Sequence, residues 1–337
     1  MPQDHDLMRL FQAFRENDSV AFRRAAESLI ADAQASNHHN LARDLRRALG
    51  TTEAQPRREN GTPTLMTLPR DRRKGLSLLQ VTESRVDATQ VILGESAERR
   101  VARIIEEHRR MGQLQRLGYS PRRKILFWGP PGCGKTLVAH YLAHELGLPI
   151  GILKLSAIIS SYLGDTAGNL QAVFDQARDQ PMVLLLDEVD ALGKSRDDKN
   201  DVGELKRVVN TLLQIIDSYS PTRGLLIAAT NHQQLLDLAL WRRFDDVIGF
   251  KKPSEKERQH YLQMRLGSTK YTGSLRQAAR LTSYFSYADL RRIIDETIKT
   301  AILEDRSTVS LGDLRNSVEE YRMSLREAGL GGLVNGR

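Results

Sequence analysis

The chain reads as an α/β protein in which a parallel sheet is covered by helices on both faces, with a small helical bundle before it and a helical segment after it. Two observations carry this expectation. Between residues 76 and 252, short apolar runs alternate with stretches of helical spacing, the pattern of strands buried on both faces. Residues 1–50 and 253–330 instead carry apolar side chains at helical spacing alone.

Residues 1–50 open with Leu7, Leu10, Phe11 and Phe14, then Phe22, Ala25, Leu29 and Ile30, and close with a helix from Leu41 to Leu49 that stops at Gly50. Nothing in this bundle suggests chemistry, so docking a partner is its expected task. From residue 51 to 75 the pattern dissolves around Pro56, Asn60, Gly61, Pro63 and Pro69 and ends in the basic run Arg72, Arg73, Lys74. That composition predicts a flexible, solvated linker. The strands that follow are expected at Lys124–Trp128, Ile150–Lys154, Met182–Leu186, Leu225–Ala229 and near Asp246–Phe250. After Pro253 the helical pattern runs to about Glu327. It opens with the capping box Ser254-x-x-Glu257 and predicts a separate helical lid over 253–330.

At 337 residues, with 40% hydrophobic and 27% charged side chains, the chain has an ordinary soluble composition. Its apolar runs are cut short by Lys154 and Asp187, well below membrane-spanning length, and its first residues lack the order of a secretion signal. A cytoplasmic protein without a membrane segment is expected. Cys133 is the only cysteine, which excludes an internal disulfide and a cysteine-pair zinc site.

The chemistry begins with Gly129-Pro130-Pro131-Gly132-Cys133-Gly134-Lys135-Thr136, which follows one apolar run and opens a helix through Leu137 and Val138. Strand, glycine-rich loop and helix in this order make a phosphate loop of the P-loop NTPase kind. Its backbone N–H groups and the helix N-terminus would cradle phosphates, with Lys135 on the β and γ groups and the Thr136 hydroxyl on Mg²⁺. Val183–Leu186 then runs into Asp187 and Glu188, two carboxylates at a strand end. Asp187 is expected in the metal shell and Glu188 as the base that activates water. The run Gly224–Thr230 ends at Asn231, whose amide would lie beside the γ-phosphate if that strand sits between the other two. Arg242 and Arg243 follow as candidates to stabilise charge in the transition state. ATP is thus the expected substrate, and an anionic substrate rewards the net charge of +8 as well as a nucleic acid would.

Residues 76–330 resemble the AAA ATPase family in the order of these motifs. The resemblance implies ATP hydrolysis with Mg²⁺ in a homo-oligomeric ring, commonly a hexamer, with Arg242 and Arg243 acting as arginine fingers on a neighbour's ATP. Gly94 in Val91–Gly94, and Ala288 in Ser286-Tyr287-Ala288-Asp289-Leu290, match segments that flank adenine in the family, although Tyr287 stands where the family has glycine. Ser161-Tyr162-Leu163-Gly164 resembles the aromatic pore loop of threading members, which implies that Tyr162 and Leu163 grip a protein substrate.

His140-x3-His144 has zinc-ligand spacing, but Tyr141 replaces the glutamate of a zinc protease and the helix belongs to the phosphate loop. No built-in protease or second ATPase module is therefore expected. The layout is also similar to bacterial AAA ATPases paired with subtilisin-like serine proteases in defence against phage or plasmids, which implies a separate serine protease as partner. Two rival readings of the same site are a nucleic-acid motor or loader and a nucleotide-gated assembly scaffold.

Overall fold

The computed structural model describes residues 79–155, 166–191 and 202–329, apart from 222, 233, 235–237, 268 and 269, together with residues 25, 26, 28 and 30. Of the N-terminal segment, those last residues are helical, and Ala25, Ala26 and Ile30 are buried. The remainder of that segment, the linker of residues 51–75 and the loop bearing Tyr162 and Leu163 lie outside the described residues.

In chain order the elements are β1 (Gln80–Thr82), α1 (Glu95–Arg109), α2 (Met111–Arg116), β2 (Lys124–Trp128), α3 (Lys135–Leu146), β3 (Ile150–Lys154), α4 (Thr166–Asp179), β4 (Val183–Asp187), α5 (Val202–Ser218), β5 (Leu225–Thr230), α6 (Leu238–Trp241) and β6 (Asp246–Gly249). The C-terminal helical region, the segment expected as a lid, follows as α7 (Glu255–Leu266), β7 (Lys270–Tyr271), α8 (Leu275–Leu281), α9 (Tyr287–Leu303), β8 (Thr308–Val309) and α10 (Leu311–Glu327).

The large sheet has the order β1-β3-β4-β5-β2-β6, with β2 to β6 parallel and β1 antiparallel to β3. Alternate strand residues enter different cores. Leu126, Leu184, Leu186, Leu226 and Ala228 pack with Phe174 of α4 and Leu212 and Ile216 of α5. On the other face, Ile125, Phe127, Leu185 and Ile227 pack with Ile104 of α1 and Leu142 of α3. Because both faces are covered, the strands are apolar throughout, which is why they stand out in the sequence.

The sequence gives no sign of β1, whose three residues are too few for a period-two pattern to register. Nor does it mark the short parallel ladder of β7 and β8 inside the otherwise helical lid. The lid has its own core around Leu262, Phe285, Leu290, Ile293 and Leu314. Ser254, Ser286 and Ser310 each cap a lid helix through a reciprocal capping box, closed by Glu257, Asp289 and Asp313. Arg258, buried, donates to Pro253 O and Ala279 O and so ties the lid's entry to α8. Among the described residues no helix is long and apolar enough to cross a membrane.

Candidate nucleotide site

The loop between β2 and α3 is shaped by glycines that no other residue would replace without strain. Gly129, Gly132 and Gly134 have φ of +142°, +72° and +95°. A Cβ on Gly129 would lie 2.0 Å from the Phe250 carbonyl oxygen. Positive φ interspersed with ordinary backbone along a loop turns N–H groups toward one side, the geometry of an anion nest. Gly134 is also the N-cap of α3 and makes no side-chain cap, and an uncapped helix N-terminus is suited to an anion.

Lys135, 7% exposed, donates from Nζ to Gly129 O (2.7 Å), Pro130 O (3.0 Å) and Asn231 Oδ1 (2.8 Å). Burial pushes its pKa down, while Cys133, Asp187 and Asp190 act in the opposite direction. Thr136 and Leu137 are exposed in the first turn of α3. Cys133 is buried, with its thiol near Pro131 O, and desolvation raises its pKa.

Strand order brings the remaining groups to this loop. β5 lies between β2 and β4, with Trp128 opposite Thr230 and Leu186 opposite Ala228. Gly129, Asp187, Glu188 and Asn231 therefore emerge from neighbouring strand ends at the carboxyl edge of the sheet, where open α/β folds bind ligands. The Asp187 carboxylate accepts from the Glu188 N–H at 2.9 Å, and Glu188 is itself left-handed, with φ of +59°. Asp190, buried, accepts from the Thr230 hydroxyl and the Asn231 N–H, each at 3.2 Å.

A family model for the ATPase family associated with various cellular activities (AAA) matches residues 125–252, the stretch from β2 to just before the lid. A Sinorhizobium fredii protein described as an uncharacterized AAA family ATPase is 38% identical over 89% of this chain and 90% of its own length. This chain belongs to the AAA family of ATPases. It binds nucleotide and hydrolyses ATP as a member of that family. It is also similar to the proteasome-activating nucleotidase of Pyrococcus horikoshii, 35% identical over 61% of this chain and 54% of the relative. With the ATP-dependent zinc metalloprotease FtsH of Syntrophobacter fumaroxidans it shares 32% identity, over 67% of this chain but only 36% of that longer protein.

In this AAA ATPase the C-terminal helical region touches the glycine-rich loop between β2 and α3 directly. The Ala288 N–H donates to Gly132 O at 3.1 Å, and a Cβ on Gly132 would meet Ser286 Oγ at 2.6 Å. Gly94 lies close to Glu257 of α7, where a Cβ would come 3.1 Å from its Oε1. Tyr287 is half-buried, edge-on to Tyr261 at 5.3 Å, and its hydroxyl pKa is raised by burial first and then by Glu257, Cys133 and Tyr261. His144 Nδ1 lies 3.2 Å from Ser84 O, and His140 is partly buried on the same helix.

Arg242 and Arg243 are not at this edge. They precede β6, and the adjoining Asp245 carboxylate accepts from the Arg123 and Lys124 N–H groups at 2.7 and 2.9 Å, at the start of β2. With β2 spanning five residues, that places them roughly 15 Å of strand away from Gly129. Arg242 is exposed, while Arg243 is paired with Asp217 at the end of α5. Asp190, Asp217 and Arg258 were not legible as site or support residues, because each depends on which elements lie side by side. For Asp190 the only signal was a third carboxylate, after Asp187 and Glu188, two residues beyond Glu188.

Proposed function

We propose that this AAA ATPase assembles into a homo-oligomeric ring, a hexamer, and spends ATP on remodelling or threading a protein substrate. The observation that carries the reading is the placement of Arg242 and Arg243 at the sheet edge away from this chain's own phosphate loop. An arginine there cannot reach the ATP of the same chain, since its side chain spans about half the intervening strand. It can serve a neighbour, and a ring supplies every subunit with one.

In this reading Lys135 exchanges its loop carbonyls for the β- and γ-phosphates, which the N–H groups of residues 129–136 surround. Leu137, Gly94 and Ala288 flank the adenine. The Thr136 hydroxyl and the Asp187 carboxylate are hard oxygen donors suited to Mg²⁺, which when bound neutralises phosphate charge. Glu188 takes a proton from the attacking water, and the Asn231 amide orients that water. Arg242 or Arg243 of the adjacent subunit meets the charge that develops on the transferred phosphoryl group.

Protein as substrate is supported by the resemblance of Tyr162 and Leu163 to a pore loop and by relatives whose names associate them with proteasomes and proteolysis. The N-terminal helices would recruit a partner in the cytoplasm. A serine protease in that position, and a role in defence, rest on the layout of the chain alone. The test is ATP turnover with unfolded casein, single-stranded DNA or double-stranded DNA added. Casein should stimulate it, and Tyr162→Ala should lose both the stimulation and the unfolding of a tagged protein. Stimulation by DNA but not by casein would overturn the reading.

A further inference from the structure

We propose that Asp190 is a positioning residue, a buried carboxylate that locks the turn carrying Glu188 to the turn carrying Asn231. The inference rests on the roles proposed for those two residues. Asp190 is 4% exposed, and a carboxylate so enclosed is stable only where donors converge on it. Two of them come from the end of β5, namely the Thr230 hydroxyl and the Asn231 N–H, each at 3.2 Å. Thr230 Oγ1 in turn accepts from the His232 N–H at 3.1 Å, so the residues on both sides of Asn231 belong to one network.

Asp190 itself sits inside the turn that runs from Glu188 to Ala191. The Ala191 N–H donates to Glu188 O at 3.0 Å, and the Val189 N–H donates across to Ala229 O at 3.0 Å. These bonds hold Glu188 at φ +59°, a conformation a non-glycine residue keeps only when its surroundings determine it. The Asn231 side-chain oxygen receives Lys135 Nζ at 2.8 Å, which turns the amide nitrogen away from the lysine. The carboxylate thus ties the turn that carries Glu188, itself held by backbone bonds, to the backbone of Asn231. Its effect on rate comes through their placement, and a displacement of about 1 Å at such a site costs on the order of 100-fold in rate.

The experiment compares Asp190→Ala, Asp190→Asn and Thr230→Val in the full-length ring, measuring kcat, KM for ATP and the ratio of ATP to ADP affinity. Asp190→Ala should lower kcat by on the order of 100-fold and shift the affinity ratio toward ADP, since the γ-phosphate contact of Asn231 loosens. Asp190→Asn keeps an oxygen acceptor facing Thr230 and Asn231 and should restore most of the rate. Thr230→Val removes the hydroxyl's bond to Asp190 together with the one it accepts from the His232 N–H, and should fall between them; with Asp190→Asn it decides the matter if the alanine variant does not fold. A kcat near that of the parent protein in Asp190→Ala or Thr230→Val would overturn the proposal. So would a loss in which the ATP to ADP ratio stays constant and asparagine brings no rescue, the behaviour of a purely structural carboxylate. Glu188→Gln run in parallel separates the two levels. If it keeps turnover, the base assignment fails. If it loses turnover while Asp190→Ala does not, the lock alone fails.

Discussion

Tyr284, between α8 and α9, holds a left-handed backbone, φ +70°, and is 54% exposed. That conformation costs a bulky L-residue about 1–2 kcal/mol, and an exposed ring recovers little of it by packing. Tyr284→Gly should therefore stabilise the lid by about 1 kcal/mol, read as a higher denaturation midpoint. Glu188 carries the same kind of strain at a place where the chemistry is proposed to need it. The strain in both residues was invisible in the sequence, because φ is set by the neighbours of a turn and not by its composition. The loop glycines were legible for the opposite reason: positive φ at several positions of one tight loop demands glycine, and glycine is what the chain shows at 129, 132 and 134.

At the scale of elements, the joint between the lid and the phosphate loop is tight enough to be tested by one methyl group. Gly132→Ala would place a Cβ 2.8 Å from the Ala288 Cβ as well as against Ser286 Oγ, at a backbone with φ +72°. The lid must then move off the loop, and ATP affinity measured by calorimetry should fall on the order of tenfold, about 1.4 kcal/mol. The start of α10 offers a test of a different kind. The Arg306 guanidinium, followed by the Ser310 N–H, holds the Asp313 carboxyl down to about 2 from an ordinary 3.8. A carboxylate with a depressed folded-state pKa contributes stability that is complete above the ordinary value and lost as the pH falls toward the depressed one. Urea unfolding of the parent protein should lose stability between about pH 4 and pH 2, and Asp313→Asn should flatten the curve in that window. The strands of the sheet and the capping box at Ser254 were readable from apolar runs and from one serine–glutamate spacing. β1 and the β7–β8 ladder were not, since pairs of strands two or three residues long are defined by their partner rather than by their own pattern.

For the whole molecule, the sheet order decides what one chain contains. Knowing that β5 lies between β2 and β4 turns Asn231 from a residue after a strand into a neighbour of Lys135. Because β6 runs parallel to β2, Arg242 and Arg243, which precede it, lie at the opposite end of the strands, so the site proposed for this ATPase is assembled from two subunits. The sequence carried the motifs in order but not the distances between them, and it is the distance that argues for a ring. The most direct measurement mixes two variants, Glu188→Gln, which keeps its arginines, and the double variant Arg242→Ala/Arg243→Ala, which keeps its phosphate loop and base. Each alone should have little turnover. Mixed rings should recover ATPase activity in proportion to the junctions where an intact arginine pair faces an intact site. Mixtures that remain as inactive as the two separate variants, although shown to co-assemble, would contradict a site completed by the neighbour.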